Sequence, residues 1–122
     1  MSVVSPEVLA AILRFREERD WRQFHNARHQ AAALAIEAGE LQEQFLWLRD
    51  DELAARWTER REDIEDEVAD VATMLALFCH DHGIDLDAAV QRKLVKAAAK
   101  YPVEQARGRH LKYDRLVGRQ ED

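Results

Sequence analysis

The sequence predicts an all-α protein, a bundle of helices, on three observations. Only four Gly and two Pro occur in 122 residues, too few for a turn-rich β domain. Apolar residues recur at helical spacing in four separate stretches. No stretch alternates apolar and polar residues as a half-buried strand does. The length fits one domain able to bury a real core.

Ser5-Pro6-Glu7 starts the first helix: a capping hydroxyl, Pro at the first helical position and an acid in the first turn. Val8, Leu9, Ile12 and Phe15 follow, so this helix is expected over about 6–19. Asp20 to His25 breaks the period in an aromatic connection. Asn26 caps a second helix expected to reach Leu48, its first half rich in Ala. Asp50-Asp51-Glu52 is a loop or a new start. A third helix is expected over about 59–82 and stops at Gly83, a left-handed cap. The fourth begins at Asp85 or Asp87 and ends near Lys100, since Tyr101 precedes Pro102. Residues 103–122 read as an extended basic tail.

Charge is divided along the chain. Residues 1–91 hold nine basic and twenty acidic residues, residues 92–122 nine basic and four acidic, within a net −6. An acidic body argues against nonspecific nucleic-acid binding, which needs a continuous basic face. An acidic body with a basic end suits a cation and an anionic ligand together; the plainer reading is that the tail docks on an acidic neighbour. One cysteine excludes an intrachain disulfide. No apolar run approaches the ~18 residues of a membrane helix, and MSVVSPEVLA lacks a signal-peptide pattern. A cytoplasmic protein with no membrane or nucleic-acid partner is expected. Between Val68 and Cys79 only Asp70 and Thr73 are polar. A helix apolar nearly all round needs cover on several faces, so a homo-oligomer is expected.

Two acidic pairs carry the chemical signal: Glu37 and Glu40 on the second helix, Glu67 and Asp70 on the third. Spacing i, i+3 puts each pair on one helical face. Four converging carboxylates make an oxygen-rich site suited to Mg²⁺ or Mn²⁺. Other acidic i, i+3 pairs, such as Glu17/Asp20 and Glu59/Glu62, read as solvated faces; the chosen pairs differ in their apolar surroundings. Asp70 is expected buried in the apolar run, with no Lys or Arg within helical reach, so a cation or an Arg from another helix must compensate it. No Glu-x-x-His occurs, which excludes a di-iron carboxylate bundle. No Gly-rich phosphate loop exists. Cys79-His80-Asp81-His82 is a lesser metal candidate. Trp21, Phe24, His25 and Trp47 flank the Ala-rich helix as a base-stacking pocket or as ordinary core.

These residues carry a family resemblance. E37-A-G-E40 and E67-V-A-D70, with ERDWRQFH (18–25), AIEAGELQEQFLW (35–47), EDEVADV (65–71) and KYPVEQARG (100–108), resemble the MazG-like all-α nucleoside triphosphate pyrophosphohydrolases, in their dCTP pyrophosphatase-like branch. The resemblance spans about residues 12–113. It implies a four-to-five-helix bundle completed by homodimerisation, as a homodimer or homotetramer, with the domain over 1–113 and a polar tail over 114–122. It implies Mg²⁺-dependent cleavage of a nucleoside triphosphate between the α and β phosphates. Glu37, Glu40, Glu67 and Asp70 match the metal ligands, and Glu40 with Glu37 the catalytic carboxylates. Trp21, His25 and Trp47 fall to the base pocket; Lys93, Lys100 and Tyr101 to the basic end that holds phosphates. Ile12, Met74 and Ala97 stand where dCTP-specific relatives carry His, Tyr and Asn, so the resemblance leaves the base open among dCTP, dUTP and modified pyrimidines. The rival from another class is a catalytically silent helical nucleotide- or partner-binding module of the same fold; release of pyrophosphate separates the two.

Overall fold

The computed structural model describes residues 3–116, and all regular structure among them is helical. The chain falls into two compact units, Met1–Asp85 and Leu86–Asp122. The first holds α1 (Pro6–Glu18), α2 (Ala27–Glu43), α3 (Leu53–Glu59) and α4 (Arg61–Asp81). The second holds α5 (Leu86–Lys100) and the short α6 (Val103–Ala106). None of the described helices is long and apolar enough to cross a membrane.

The expected helix starts are made by the expected atoms. Ser5 Oγ accepts from the Val8 amide at 3.2 Å, and Asn26 Oδ1 from the His29 amide at 3.0 Å. Each satisfies an amide that has no partner within its helix. At the far end of α4, Gly83 takes φ 64°, and the Ile84 amide reaches back to the Cys79 carbonyl at 2.9 Å. That closure satisfies a terminal carbonyl and stops the helix.

Three elements differ from expectation. Helix α2 ends at Glu43, not Leu48: the amides of Gln44, Phe45 and Leu46 bond three residues back, and Trp47 turns into the left-handed region at φ 65°. A separate helix, α3, fills part of the expected connection. It follows a 3₁₀ turn over Asp50–Glu52 and is anchored by Trp57, whose ring lies 5.5 Å from that of Phe45. The tail is not extended throughout: α6 makes one turn and Tyr113–Arg115 another. Residues 117–122, the rest of that expected tail, lie outside the described residues.

Helix α4 is the centre of the first unit, packing against α1, α2 and α3. Its Ile64, Ala76, Leu77 and Cys79 are the buried core. One chain covers only one side of it. Val68 stays 49% exposed, and Asp70, expected buried, is exposed as well.

Two polar side chains are buried where α1, α2 and α4 meet, Arg16 and Gln30. Arg16 donates twice to Asp81, Nη1 to Oδ2 at 2.7 Å and Nη2 to Oδ1 at 2.9 Å. Gln30 Nε2 donates to Asp81 Oδ2 at 2.6 Å, and its Oε1 accepts from His82 Nε2 at 2.7 Å. The Arg16 guanidinium, followed by hydrogen bonding from Gln30, holds the Asp81 carboxyl below its ordinary 3.8 although burial opposes this. This buried bidentate ion pair, with Arg16 Nε left without a partner, ties three helix ends together at once.

Candidate functional site

Facing positions of α2 and α4 bring four carboxylates together. Glu37, Glu40, Glu67 and Asp70 each offer an oxygen, and these oxygens all lie within 4.8 Å of one another. Among the described residues this is the only group of three or more His, Cys, Asp or Glu side chains placed to share an ion. Glu37, Glu40 and Glu67 are half-buried and Asp70 is exposed, so the cluster opens on one side.

The cluster is electrostatically unfinished. Glu37 Oε2 and Glu67 Oε2 are buried with no donor to satisfy them. Burial raises the Glu37 carboxyl above its ordinary 4.5, reinforced by a proton shared with Glu40 and by the charges of Glu40, Asp70 and Glu67. Burial raises Glu67 too, followed by the charges of Glu40 and Asp70. Like charges at this range disfavour full ionisation, and buried acceptors without donors are costly. A hard divalent cation answers both problems. Opposite oxygens around one octahedral Mg²⁺ stand ~4.2 Å apart, close to the spread of these atoms. The donor set therefore fits a metal ion.

The lesser metal candidate is accounted for otherwise. Asp81 and His82 are spent on Arg16 and Gln30. Cys79 is a free buried thiol, pushed up by burial.

Beside the cluster lies a cleft of about 420 Å³ lined by Phe24, His25, His29, Gln30, Ala33 and Met74. Ala33 precedes Glu37 by one helical turn on α2, and Met74 follows Asp70 by one turn on α4. Moving from cleft to cluster thus runs forward along α2 and backward along α4, so the two helices are antiparallel. Four residues of helix rise ~6 Å, which sets the step between cleft and cluster on both walls.

Of the remaining residues singled out from the sequence, His25 lines the cleft, while Trp21 and Trp47 do not. Trp21 meets Phe15 edge-on, with ring centroids 5.7 Å apart, and Arg19 lies over the Phe15 ring at 3.7 Å. Trp47 is 93% exposed. In the second unit Lys93 and Lys100 are exposed. Lys100 Nζ lies 4.7 Å from the centre of the Tyr113 ring, and the Tyr101 hydroxyl accepts from the Tyr113 amide at 3.3 Å. His29 was not predicted as a site residue. Its spacing from Ala33 and Glu37 along one face of α2 is the signal that points to it.

A MazG-like family model matches residues 32–116. The chain is 38% identical over 104 residues to dCTP pyrophosphatase 1 of Bos taurus, covering 84% of this chain and 62% of that protein. The human protein of the same name is also 38% identical over 104 residues, with 84% and 61% covered. The chain therefore spans about three fifths of the length of the curated relatives it matches. A crystal structure of a pyrophosphatase from Archaeoglobus fulgidus superposes with a TM-score of 0.74 at 36% identity, covering 79% of this chain and 90% of that one. All four carboxylates fall inside the matched stretch, and the chain belongs to the MazG-like family.

Proposed function

We propose that this chain is a Mg²⁺-dependent nucleoside triphosphate pyrophosphohydrolase that cleaves between the α and β phosphates, with pyrimidine deoxynucleotides as its substrates and clearance of unwanted nucleotides as its role. The observation that carries the reading is the convergence of Glu37, Glu40, Glu67 and Asp70 within 4.8 Å, with two buried oxygens lacking donors. The similarity to dCTP pyrophosphatases supports the choice of substrate class.

Glu37, Glu40, Glu67 and Asp70 would hold the ion. When bound, Mg²⁺ supplies charge to offset the phosphate oxygens and a fixed site that orients them. Glu40 takes the proton of the attacking water as general base, with Glu37 beside it able to share a proton. Trp21 and Trp47 offer exposed aromatic faces for stacking on the base. Lys93, Lys100 and Tyr101 hold the triphosphate by charge and hydrogen bonding, as the family resemblance implies. The pyrophosphohydrolase domain spans 1–113 with a short polar tail after it, and the protein works in the cytoplasm as a homodimer or homotetramer.

The test is a panel of canonical and modified NTPs and dNTPs with Mg²⁺, scored for monophosphate and pyrophosphate together. Equimolar release of both from at least one pyrimidine deoxynucleotide, lost in EDTA, is the expected result. Release of phosphate alone overturns cleavage between the α and β phosphates, and no release with any nucleotide overturns the reading in favour of a silent binding module.

A further inference from the structure

The last turn of α5 carries an ammonium that is held without being neutralised. Lys100 is exposed, and among the described residues no carboxylate lies within ion-pair distance of it. Its Nζ sits instead 4.7 Å from the centre of the Tyr113 ring. The next residue, Tyr101, meets that same ring edge-on, with centroids 6.2 Å apart and planes at 85°. Its hydroxyl accepts from the Tyr113 amide at 3.3 Å. Between the two tyrosines the chain runs through Pro102 and α6. It passes Gly108 at φ 72°, a conformation that suits glycine, and comes back to the end of α5. Tyr113 is thus fastened to Tyr101 by its backbone and its ring, and it meets Lys100 through the ring alone. Lys100 and Tyr101 are the two neighbours in this second unit that the family resemblance assigns to the phosphates. Nothing in the sequence marks Tyr113, which touches both.

We propose that Tyr113 is a positioning residue that straps Lys100 and Tyr101 into a preorganised pair for the anionic oxygens of a polyphosphate, given that these two residues hold the triphosphate in the reading of this chain as a pyrophosphohydrolase. Tyr113 contacts no phosphate itself; it acts through Lys100. The kind of contact is what suits it to this task. An ion pair would place the lysine by cancelling its charge. A ring attracts the ammonium through its quadrupole and leaves the full charge, with the N–H donors that point away from the ring, open to an anion. Lysine otherwise swings on a flexible stem, and a ligand that must order it loses affinity by doing so. The excess of basic residues over 92–122, nine against four acidic, draws anions to this end of the chain but fixes none of them in place. The ring of Tyr113 supplies the fixed position.

The experiment is a double-mutant cycle on the full-length protein, read by calorimetric binding so that no turnover is needed. The probes are the α,β-methylene analogues of dCTP and dUTP with Mg²⁺, which cannot be cleaved between the α and β phosphates. Tyr113→Ala should weaken binding of the tighter analogue about two- to fivefold, the range of an exposed cation–π contact. In a Lys100→Ala background the same substitution should change nothing further, because the residue it acts through is gone. Tyr113→Phe, which keeps the ring, should recover most of the loss. A tyrosine that merely packs the tail predicts the same loss in both backgrounds. Losses that add, a Tyr113→Ala protein that binds as wild type does, a Phe variant no better than Ala, or no binding of either analogue to wild type would each overturn the proposal. Coupling of the two residues without pyrophosphate release from dCTP or dUTP would sink the hydrolase and leave the strap standing. Turnover with uncoupled residues would do the reverse.

Discussion

Glu67 shows how a single side chain couples the site to stability. Folding raises its carboxyl pKa above 4.5, so the folded state binds that proton more tightly than the unfolded chain. Metal-free stability is therefore eroded as pH rises above 4.5, until the folded-state pKa is passed. In EDTA, Glu67→Gln should melt higher than wild type, by a margin that widens from near pH 4 to near pH 7; added Mg²⁺ should raise Tm for wild type by mass action and much less for the variant. A margin that narrows with pH would contradict this. Asp70 has no ion pair among the described residues, although the sequence left open an Arg partner from another helix. Asp70→Asn should accordingly leave metal-free stability unchanged or higher and reduce pyrophosphate release by about a thousandfold or more, a loss of ~4 kcal/mol in transition-state stabilisation. Trp47 is the other unusual residue. A bulky side chain at φ 65° carries ~1–2 kcal/mol of backbone strain, and at 93% exposure it gains little packing in return. Trp47→Gly should stabilise the chain by up to about 1 kcal/mol after the entropy that glycine loses. It should also raise KM about tenfold, the value of one aromatic stack. Lost stability with KM unchanged would make Trp47 a packing residue.

At the scale of elements, the junction of α1, α2 and α4 depends on one ion pair. Arg16 and Asp81 have side chains only 5% and 12% exposed. Asp81→Asn strands the guanidinium and should cost ~3–5 kcal/mol in urea unfolding at neutral pH. Asp81 has a folded pKa below 3.8, so its stabilisation is present above that value and is lost as pH falls through the folded pKa. The gap between variant and wild type should therefore close in acid. These elements differed in how readable they were. The caps at Ser5, Asn26 and Gly83 act through neighbours in sequence, and the residues alone identified them. The early stop of α2 was not readable, because it depends on Trp47 accepting a strained conformation. Asp70 was misplaced because an apolar run does not say which of its faces the same chain covers. The four carboxylates could be found from spacing and resemblance, whereas the pairing of Arg16 with Asp81 joins residues 65 positions apart that only the folded chain brings near.

At the scale of the whole molecule, α4 leaves apolar surface uncovered, with Val68 half exposed. We expect sedimentation to give a particle of two or four copies of the 14.2 kDa chain; a monomer at micromolar concentration would overturn the proposed assembly. The antiparallel pairing of α2 and α4 has a consequence for how such a protein can diverge. The two helices act as a ruler with the cleft at one end and the carboxylates at the other. Substitutions at the cleft end can change what it admits without disturbing the carboxylates a turn away. Inserting or deleting one residue between Ala33 and Glu37, or between Asp70 and Met74, rotates everything beyond it by about 100° and destroys the alignment of both ends. Lineages built on this pair of helices are thus free to change what they read but held to the spacing at which they read it.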